Sequence, residues 1–465
     1  MFKVTVIDGK QNIVTECEDG ALLSTVLDAC GVNIAHPCGG RGVCRKCRVR
    51  VNGADELSCR YEIHSDIVAE IYSDGETSFK SGGETADDVF FCLDIGTTAV
   101  ALSLCAFPDG REIASAVFDN PQRQYGADIM SRISYCSENG PGKLNSVLIS
   151  RLNTEIEKLL RSAGKDRAEK LFAAGNTTML HLFLNKDCSS LGAAPYTPLF
   201  LDGQNIGGAE CGIEKVGEII TLPCVGAFIG ADIVSGLGYI SKSASGYTLF
   251  ADLGTNAEIA LFAGDKILCA SAAAGPCFEG ANISCGMSAK DGAICAYRDD
   301  GSFSVIGGVK PEGICATGLI DIISVLLEKN IIEESGYTAF EKYEITDDIY
   351  LSREDIRQYQ LAKSAVRAAL TVLVSAAGIT FDDIDRFFVA GGFSEKLNMK
   401  NAVRSGLFPA ALEDKFIPVN NSSLKGLAAY ALGENPPSAV TGKAVYYDLA
   451  EDAGFPELFI SGMSF

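Results

Sequence analysis

The sequence predicts two different folds in series: a small α+β domain, then a larger α/β domain made of two related halves. Three observations support this: four cysteines within 22 residues near the start, a polar segment at 77–88, and a D-x-G-T pattern that recurs after 158 residues. A length of 465 residues allows several compact units. We predict domains at 1–76, 89–245 and 246–465, with a linker at 77–88.

Composition excludes several classes of function. The chain has 39 Lys+Arg against 60 Asp+Glu, a net charge of −21, so we expect no nucleic acid and no membrane surface as a partner. No apolar run is long enough for a membrane span, and the first ten residues lack a secretory signal, which predicts a cytoplasmic protein. In that reducing compartment the 17 cysteines indicate metal binding where they cluster, rather than disulfides.

The cysteine cluster has the spacing C-x5-C-x2-C-x11-C. Glycines in HPCGGRGVCRKC let the loop curl and direct its N–H groups at a central anion. Thiolates are soft ligands, which suits sulfur-bridged iron. The predicted metal ligands are Cys38, Cys44, Cys47 and Cys59.

The elements around this loop support an iron–sulfur fold. Alternation of apolar and polar residues predicts strands at 2–7, 12–16, 48–52 and 66–72. Apolar residues at helical spacing predict a helix over 21–30. This order resembles the β-grasp [2Fe–2S] ferredoxins, although the first gap has one residue more than the plant-type C-x4-C-x2-C. The alternative is a structural zinc site, but zinc ribbons normally supply two C-x2-C pairs and this segment has one.

Residues 77–88, TSFKSGGETADD, are polar, contain a glycine pair and have no apolar period. They predict a flexible linker with a root-mean-square reach of about 20 Å.

The repeat pairs CLDIGTTAVALSL at 92 with FADLGTNAEIALF at 250. Each copy places an Asp at the end of a strand, before a Gly-Thr turn and a returning strand. Asp94 and Asp252 can hold Mg²⁺, while the turns offer N–H and hydroxyl donors to phosphate on opposite sides of a cleft. One such turn is weak support, since Asp and Gly favour tight turns anyway. The predicted phosphate contacts are Gly96, Thr97, Thr98, Gly254, Thr255 and Asn256.

A third element follows near the C-terminus. A helix over 361–376 ends at Gly378, a strand covers 384–390, and Gly391 and Gly392 precede another helical stretch. A glycine pair between a strand and a helix suits close approach of a nucleotide. In this order the three motifs resemble the superfamily of acetate and sugar kinases, heat-shock cognates and actin, whose duplicated ribonuclease H-like fold binds ATP.

Several single residues allow two interpretations. Asp232, twenty residues before Asp252, is either a general base for ATP hydrolysis or a helix cap. Asn176 in GNTTMLHLF either lines the cleft or caps the next helix, and we favour the cap. We expect His181 to be a core histidine, and Cys277 and Cys285 to be small buried residues.

The whole set of motifs resembles the reductive activators of corrinoid-dependent enzymes. The resemblance includes HPCGGRGVCRKC, NPQRQYGADIMSRI, GNTTM, AAGPCFEGANISCGM, GICATGLID, LAKSAVRAAL and YYDLAEDAGFPELFISGMSF. It implies one-electron reduction of a protein-bound Co(II) corrinoid to Co(I), with a [2Fe–2S] cluster as the electron source. A gap of roughly 300 mV corresponds to about 7 kcal/mol for one electron, which ATP hydrolysis could supply by closing the two lobes around Asp94 and Asp252.

The implied partner is a corrinoid protein of a methyltransferase system, and no motif identifies the electron donor. Longer members of the family have linker and middle domains between cluster and ATPase, where we expect only twelve residues here. We therefore carry over neither a homodimer nor a docking geometry. Two alternatives stay open: a small-molecule kinase regulated by its redox centre, and an ATP-binding electron carrier without turnover.

Overall fold

The computed structural model describes residues 1–8, 11–32, 34, 47–71, 78–81 and 86–465. Contacts divide the chain into two compact units. The first contains residues 1–200 and 204–221, and the second contains residues 201–203 and 222–465. Of the helices described, none has both the length and the apolar character needed to cross a bilayer. The proposed domain boundaries remain predictions.

The N-terminal part of the first unit is a small sheet with a single described α-helix against it. Strand order is β2-β1-β7-β4-β5, with β1 parallel to β7 and antiparallel to β2. Val4, Val6, Leu23 and Leu27 pack in the core between sheet and helix. The predicted strands and helix are confirmed within a few residues at each end. The elements are β1 (Phe2–Asp8), β2 (Gln11–Cys17), β3 (Ala21–Leu22), α1 (Leu23–Ala29), β4 (Arg48–Val51), β5 (Ala54–Leu57), β6 (Glu62–Ile63) and β7 (Ile67–Glu70).

The rest of the first unit contains a seven-stranded sheet of order β13-β14-β12-β9-β10-β11-β8. Its elements are β8 (Ser78–Ser81), β9 (Asp88–Ile95), β10 (Ala99–Phe107), β11 (Glu112–Asp119), α2 (Ile129–Asn139), α3 (Gly142–Ser162), β12 (Ala168–Gly175), α4 (Thr177–Phe183), β13 (Asn205–Gly207) and β14 (Val216–Thr221). Strand β9 runs parallel to β12 and antiparallel to β10.

Strand β8 lies inside the segment that we predicted to be a flexible linker. It pairs antiparallel with β11, with Phe79 opposite Ala116. A single apolar residue among polar ones gives no alternation to detect, which is why the sequence did not predict this strand. Part of the linker is therefore an edge strand of the sheet that follows.

The second unit repeats the strand arrangement of the first. Its main sheet has the order β24-β23-β15-β16-β17-β25, with β15 parallel to β23 and antiparallel to β16. The elements are α5 (Ala231–Ser241), β15 (Tyr247–Leu253), β16 (Ala257–Ala263), β17 (Lys266–Ala272), β18 (Ala293–Tyr297), β19 (Phe303–Val305), β20 (Gly313–Ile314), α6 (Ala316–Glu328), β21 (Lys342–Glu344), β22 (Tyr350–Ser352), α7 (Arg353–Ala376), β23 (Ile384–Ala390), α8 (Met399–Arg404), β24 (Phe416–Pro418), α9 (Ser422–Ala431), α10 (Ser438–Thr441), β25 (Ala444–Tyr446) and α11 (Phe455–Ser461).

The two hairpins of the repeat occupy the same place in their sheets. In each, the strand that ends in the D-x-G-T pattern has a parallel neighbour on one side and its antiparallel return strand on the other. The internal duplication predicted from the sequence is therefore confirmed in the topology. The long helix α7 covers the core of the second unit with Ala365, Val366, Ala369 and Leu373.

Candidate cluster and nucleotide sites

Two of the four predicted cluster cysteines converge in the small sheet. Cys47 lies just before β4 and Cys59 just after β5, and these two strands form a hairpin with Arg48 opposite Leu57. The Sγ atoms of Cys47 and Cys59 are 3.2 Å apart, and both side chains are buried. The Ser58 N–H donates to the Cys47 carbonyl at 2.8 Å, which holds the two ends of the hairpin together.

This pair fits one edge of a tetrahedral metal–thiolate site. A metal–sulfur distance of about 2.3 Å places neighbouring sulfurs about 3.7 Å apart, close to the separation seen here. Cys38 and Cys44 lie outside the described residues. Among those that are described, no group of three or more His, Cys, Asp or Glu side chains is placed to hold a metal ion. The described half of the predicted ligand set is thus compatible with a cluster.

The first Gly-Thr turn, Gly96–Thr98, joins β9 to β10 and begins two residues after Asp94. All three of its carbonyl groups accept hydrogen bonds from residues further along the chain. The side chain of Asn120 donates to Gly96, its backbone N–H donates to Thr98, and Arg132 donates to Thr97. Gly96 has no room for a side chain, because a Cβ there would lie 2.6 Å from the Ala99 carbonyl oxygen.

The second turn, Gly254–Asn256, joins β15 to β16. The Thr255 hydroxyl donates to the Glu279 carboxylate at 2.6 Å, and the Gly254 N–H donates to the Asn256 carbonyl at 2.9 Å. Glu279 comes from a short 3-10 helix, Pro276–Glu279, in the motif GPCFEG. This turn therefore has an acidic neighbour.

Carboxyl groups crowd the end of β15. Burial raises the pKa of Asp252 to about 7, assisted by the charges of Asp232 and Glu279. On β16, Glu258 pairs directly with Asp252, and burial followed by the charges of Asp232 and Asp252 raises its pKa well above the ordinary value. Like charges held close together in a buried place explain why these carboxyl groups keep their protons to a higher pH than exposed ones do.

Asp232 lies in the first turn of α5. Its Oδ1 accepts from the N–H of Ile233 at 2.9 Å, and the residue at the N-cap position is Gly230. Burial raises the pKa of Asp232 to about 6. The same carboxyl group thus interacts with a helix N-terminus and with the Asp252 cluster, so both interpretations offered by the sequence stay open.

The glycine pair Gly391–Gly392 follows β23, the parallel neighbour of β15, and Asp252 lies opposite Ala390 in the register. Gly391 has a φ of +109°, and a Cβ there would lie 2.5 Å from the Leu253 carbonyl oxygen, so only glycine fits. A pocket in the second unit opens at this pair. It is lined in part by Cys295, Cys315, Thr317, Gly391, Gly392 and Phe393.

The other singled-out residues have structural surroundings. Asn176 caps α4, with Oδ1 accepting from the Met179 N–H at 3.0 Å, as predicted. His181 is fully buried between the Thr177 carbonyl and the Leu199 N–H, and burial lowers its pKa, which confirms a core histidine. Cys277 is buried as expected, whereas Cys285 is only partly buried.

Sequence reasoning missed four residues of these sites. Asn120 and Arg132 belong to NPQRQYGADIMSRI, a segment that contributes to the family resemblance but has no predicted role of its own. Glu258 sits six residues after Asp252, a separation that places the two side chains on one face across a hairpin, so the pattern D-x5-E could have indicated it. Glu279 had no sequence signal of its own.

Family comparisons cover nearly all of the chain. Residues 5–69 match the 2Fe–2S iron–sulfur cluster binding domain, residues 91–241 match the RACo middle region, and residues 246–465 match the C-terminal domain of RACo, the ASKHA domain. The expectation that a middle domain is missing here is therefore wrong: the segment assigned to the first ATPase lobe is itself the middle region of that family.

Individual relatives agree with these matches. The chain is 29% identical over 416 residues to the corrinoid activation enzyme RamQ of Eubacterium limosum, covering 80% of this chain and 70% of RamQ. It is 27% identical over 371 residues to the [Co(II) methylated amine-specific corrinoid protein] reductase of Methanosarcina barkeri, covering 71% of this chain and 68% of the reductase. Among solved structures, it resembles a reductive activator for corrinoid, iron–sulfur protein with a TM-score of 0.73 and 26% identity, over 100% of this chain and 98% of the other.

Proposed function

Because the chain belongs to the family of reductive activators of corrinoid-dependent enzymes, we propose that it returns the Co(II) corrinoid of a partner protein to Co(I) in an ATP-dependent one-electron reduction. The observation that carries the proposal is the buried Cys47–Cys59 pair, in a chain that also has two Gly-Thr turns, each after a strand that ends with an Asp-x pair. Cobalt would gain the one electron that the cluster loses, and an external electron donor would then reduce the cluster again.

The cysteines account for the electron-transfer part of the function. When bound, a [2Fe–2S] cluster supplies a centre that carries one electron at a time. Cys47 and Cys59 would hold it from the described hairpin, and Cys38 and Cys44 remain proposed ligands. Burial of the described pair keeps water away from the sulfurs, which is one of the factors that set a cluster's potential.

The turns account for the ATP part. We assign phosphate contacts to Gly96, Thr97 and Thr98 in the first unit, and to Gly254, Thr255 and Asn256 in the second. Asp94 and Asp252 would hold Mg²⁺, and in the second unit the crowding of Asp252 against Glu258 supports that assignment. Gly391 and Gly392 would contact the nucleoside, because a pocket opens at this pair in the second unit.

Asp232 is our proposed general base for ATP hydrolysis. A base works best when its pKa lies near the working pH, and burial raises the pKa of this carboxyl to about 6. Its hydrogen bond from the Ile233 N–H also stabilises the N-terminus of α5, so a kinetic test is needed to separate the two roles. Asp232→Asn keeps an acceptor for the helix N–H but removes the base. We expect ATP hydrolysis to fall by roughly 100-fold or more, with little change in ATP binding.

The decisive experiment reconstitutes the reaction. Anaerobically purified protein is mixed with a chemical reductant, ATP–Mg²⁺ and a Co(II) corrinoid protein of a methyltransferase system, and the Co(II) to Co(I) absorbance change is followed. Reduction should require ATP and should be lost in Cys59→Ser and in Asp252→Asn. The matched control is Asp265→Asn, which changes an exposed aspartate in the turn after β16 and should keep wild-type reduction.

A different result would favour the alternatives. If no corrinoid protein is reduced, and a small metabolite stimulates ATP turnover instead, the chain is a redox-regulated kinase. If ATP binds without turnover and cobalt reduction is independent of it, the chain is an electron carrier. The electron donor and the oligomeric state are measured separately, by reduction of the cluster with candidate donors and by sedimentation of the purified protein.

A further inference from the structure

We propose that Asn120 and Arg132 are positioning residues, which fix the Gly96–Thr98 turn in the shape that binds the phosphates of ATP. The inference deepens the proposed function and rests on its ATP assignment. Neither residue is a predicted phosphate contact. Both come from NPQRQYGADIMSRI, which begins just after β11 and extends into the first turns of α2, where Arg132 lies.

Three consecutive carbonyl groups of the turn are bound by these two residues. Asn120 Nδ2 donates to the Gly96 oxygen at 2.8 Å, and the Asn120 backbone N–H donates to the Thr98 oxygen at 2.9 Å. Arg132 donates to the Thr97 oxygen at 2.5 Å through one terminal nitrogen of its guanidinium. No carbonyl of the turn is left to point towards an anion.

This arrangement fixes the direction of the donor groups as well. In a trans peptide the N–H points opposite to the carbonyl in the same plane. The N–H of Thr97 shares its plane with the Gly96 carbonyl, and the N–H of Thr98 shares its plane with the Thr97 carbonyl. Both N–H groups therefore point away from Asn120 and Arg132, as in the successive-amide nests that bind phosphate.

The two residues are held rigidly. Asn120 is 1% exposed, and its Oδ1 accepts from the Gln122 N–H at 3.0 Å. Arg132 is fully buried, and it also donates to the Gly126 carbonyl at 2.9 Å and contacts the Met179 sulfur at 3.1 Å. Burying a guanidinium costs desolvation free energy, and an apolar side chain could fill the same space. A buried arginine at this position therefore favours a role for its hydrogen-bond donors and its positive charge.

Asn176 adds a third support from another element. Its Nδ2 donates to Thr97 Oγ1 at 3.2 Å while its Oδ1 caps α4. The residue thus couples the turn to a helix, and the cap predicted from the sequence is only half of its function.

The test compares binding of ATP–Mg²⁺ with binding of adenosine, which has no phosphates, to the full chain by calorimetry. Asn120→Asp keeps the acceptor for the Gln122 N–H but replaces the donor to Gly96 with an oxygen. Arg132→Met removes the donor to Thr97, and Arg132→Lys keeps a charge and one possible bond. The matched control is Asn145→Ala, because Asn145 Nδ2 also donates to two backbone carbonyls, of Leu182 and Phe183, at the other end of α4.

We expect Asn120→Asp and Arg132→Met to weaken ATP binding by at least about tenfold, with adenosine binding unchanged and partial recovery in Arg132→Lys. Asn145→Ala should lower the unfolding midpoint yet bind ATP normally. If the Arg132→Met protein does not fold, the comparison of ATP and adenosine binding to the Asn120→Asp protein decides the question. Equal losses for ATP and adenosine, or no loss for ATP, would overturn the inference. A wild-type protein that binds no ATP would refute the ATP assignment itself, and with it this inference.

Discussion

The sulfur atoms of Cys47 and Cys59 lie 3.2 Å apart, at the two ends of one hairpin. The twelve-residue separation in the sequence is thus closed by a short pair of strands, β4 and β5, with a two-residue turn. This explains how Cys59, the fourth proposed ligand, can come so soon after Cys47, the third. The hairpin itself brings these two proposed ligands together.

Replacing Cys59 with serine should abolish the iron–sulfur cluster, since a hydroxyl is a much poorer ligand for iron than a thiolate. We expect the visible absorption and most of the bound iron to be lost. The matched control is Cys17→Ser, which changes another buried cysteine of the same sheet. A Cys59→Ser protein with full iron content would contradict the assignment.

Replacing Thr255 with valine should impair ATP use, because the hydroxyl that donates to Glu279 at 2.6 Å is lost and the carboxylate loses a donor. Hydrogen bonds to charged groups contribute about 1.5–3 kcal/mol, so kcat/KM for ATP hydrolysis should fall by roughly 10- to 100-fold. Thr255→Ser keeps a hydroxyl and should retain most of the wild-type kcat/KM. Thr248→Val, a buried change on β15, the strand that precedes the turn, should lower stability and leave ATP hydrolysis intact.

The carboxyl cluster predicts a pH dependence of stability. Burial raises the pKa of Asp252 to about 7 and that of Asp232 to about 6, so the folded chain keeps protons that the unfolded chain has released. Without Mg²⁺ and nucleotide, stability should therefore fall as the pH rises from about 4 to about 7, and change less above that. Asp252→Asn should flatten this slope in thermal unfolding, while Asp265→Asn should leave it unchanged. Identical slopes in wild type and Asp252→Asn would rule the explanation out.

Lys363 on α7 holds the last residues of the chain. Its ammonium donates to the carbonyls of Gly462, at 2.9 Å, and of Ser464, and lies 4.7 Å from the centre of the Phe465 ring. Lys363→Met would leave both carbonyls without this donor, which should cost about 1–3 kcal/mol in urea unfolding. Lys242→Met, which removes an exposed ion pair with Glu434, should change stability by no more than about 0.5 kcal/mol. Equal effects of the two substitutions would contradict a supporting role for Lys363.

Much of the fold could be predicted because its signals are local. Strand β23 has the predicted bounds, 384–390, since its apolar run is flanked by clear breaks. Helix α7 begins at Arg353, eight residues before the predicted start, because apolar spacing alone does not mark its first turns, whereas the capping box of Ser352 and Asp355 does. That signal was present in the sequence.

The surroundings of the turns could not be predicted in the same way. Arg132 reaches Thr97 across 35 residues, and Thr255 meets Glu279 across 24, through packing that no local pattern encodes. Periodicity assigns a residue to a face of an element, but the neighbours of that face depend on the tertiary arrangement. The motifs thus located the turns, and only the structure identified what supports them.

Strand β8 limits how far the small N-terminal sheet can move away from the edge of the seven-stranded sheet. Seven residues lie between Glu70, the last of β7, and Ser78, the first of β8, and the eight Cα-to-Cα steps between these two residues span at most about 29 Å when fully extended. While β8 stays paired with β11, the tether between the electron-carrying sheet and the edge of the next sheet cannot exceed this distance. Any larger displacement of the small sheet would first have to break the pairing of β8 with β11.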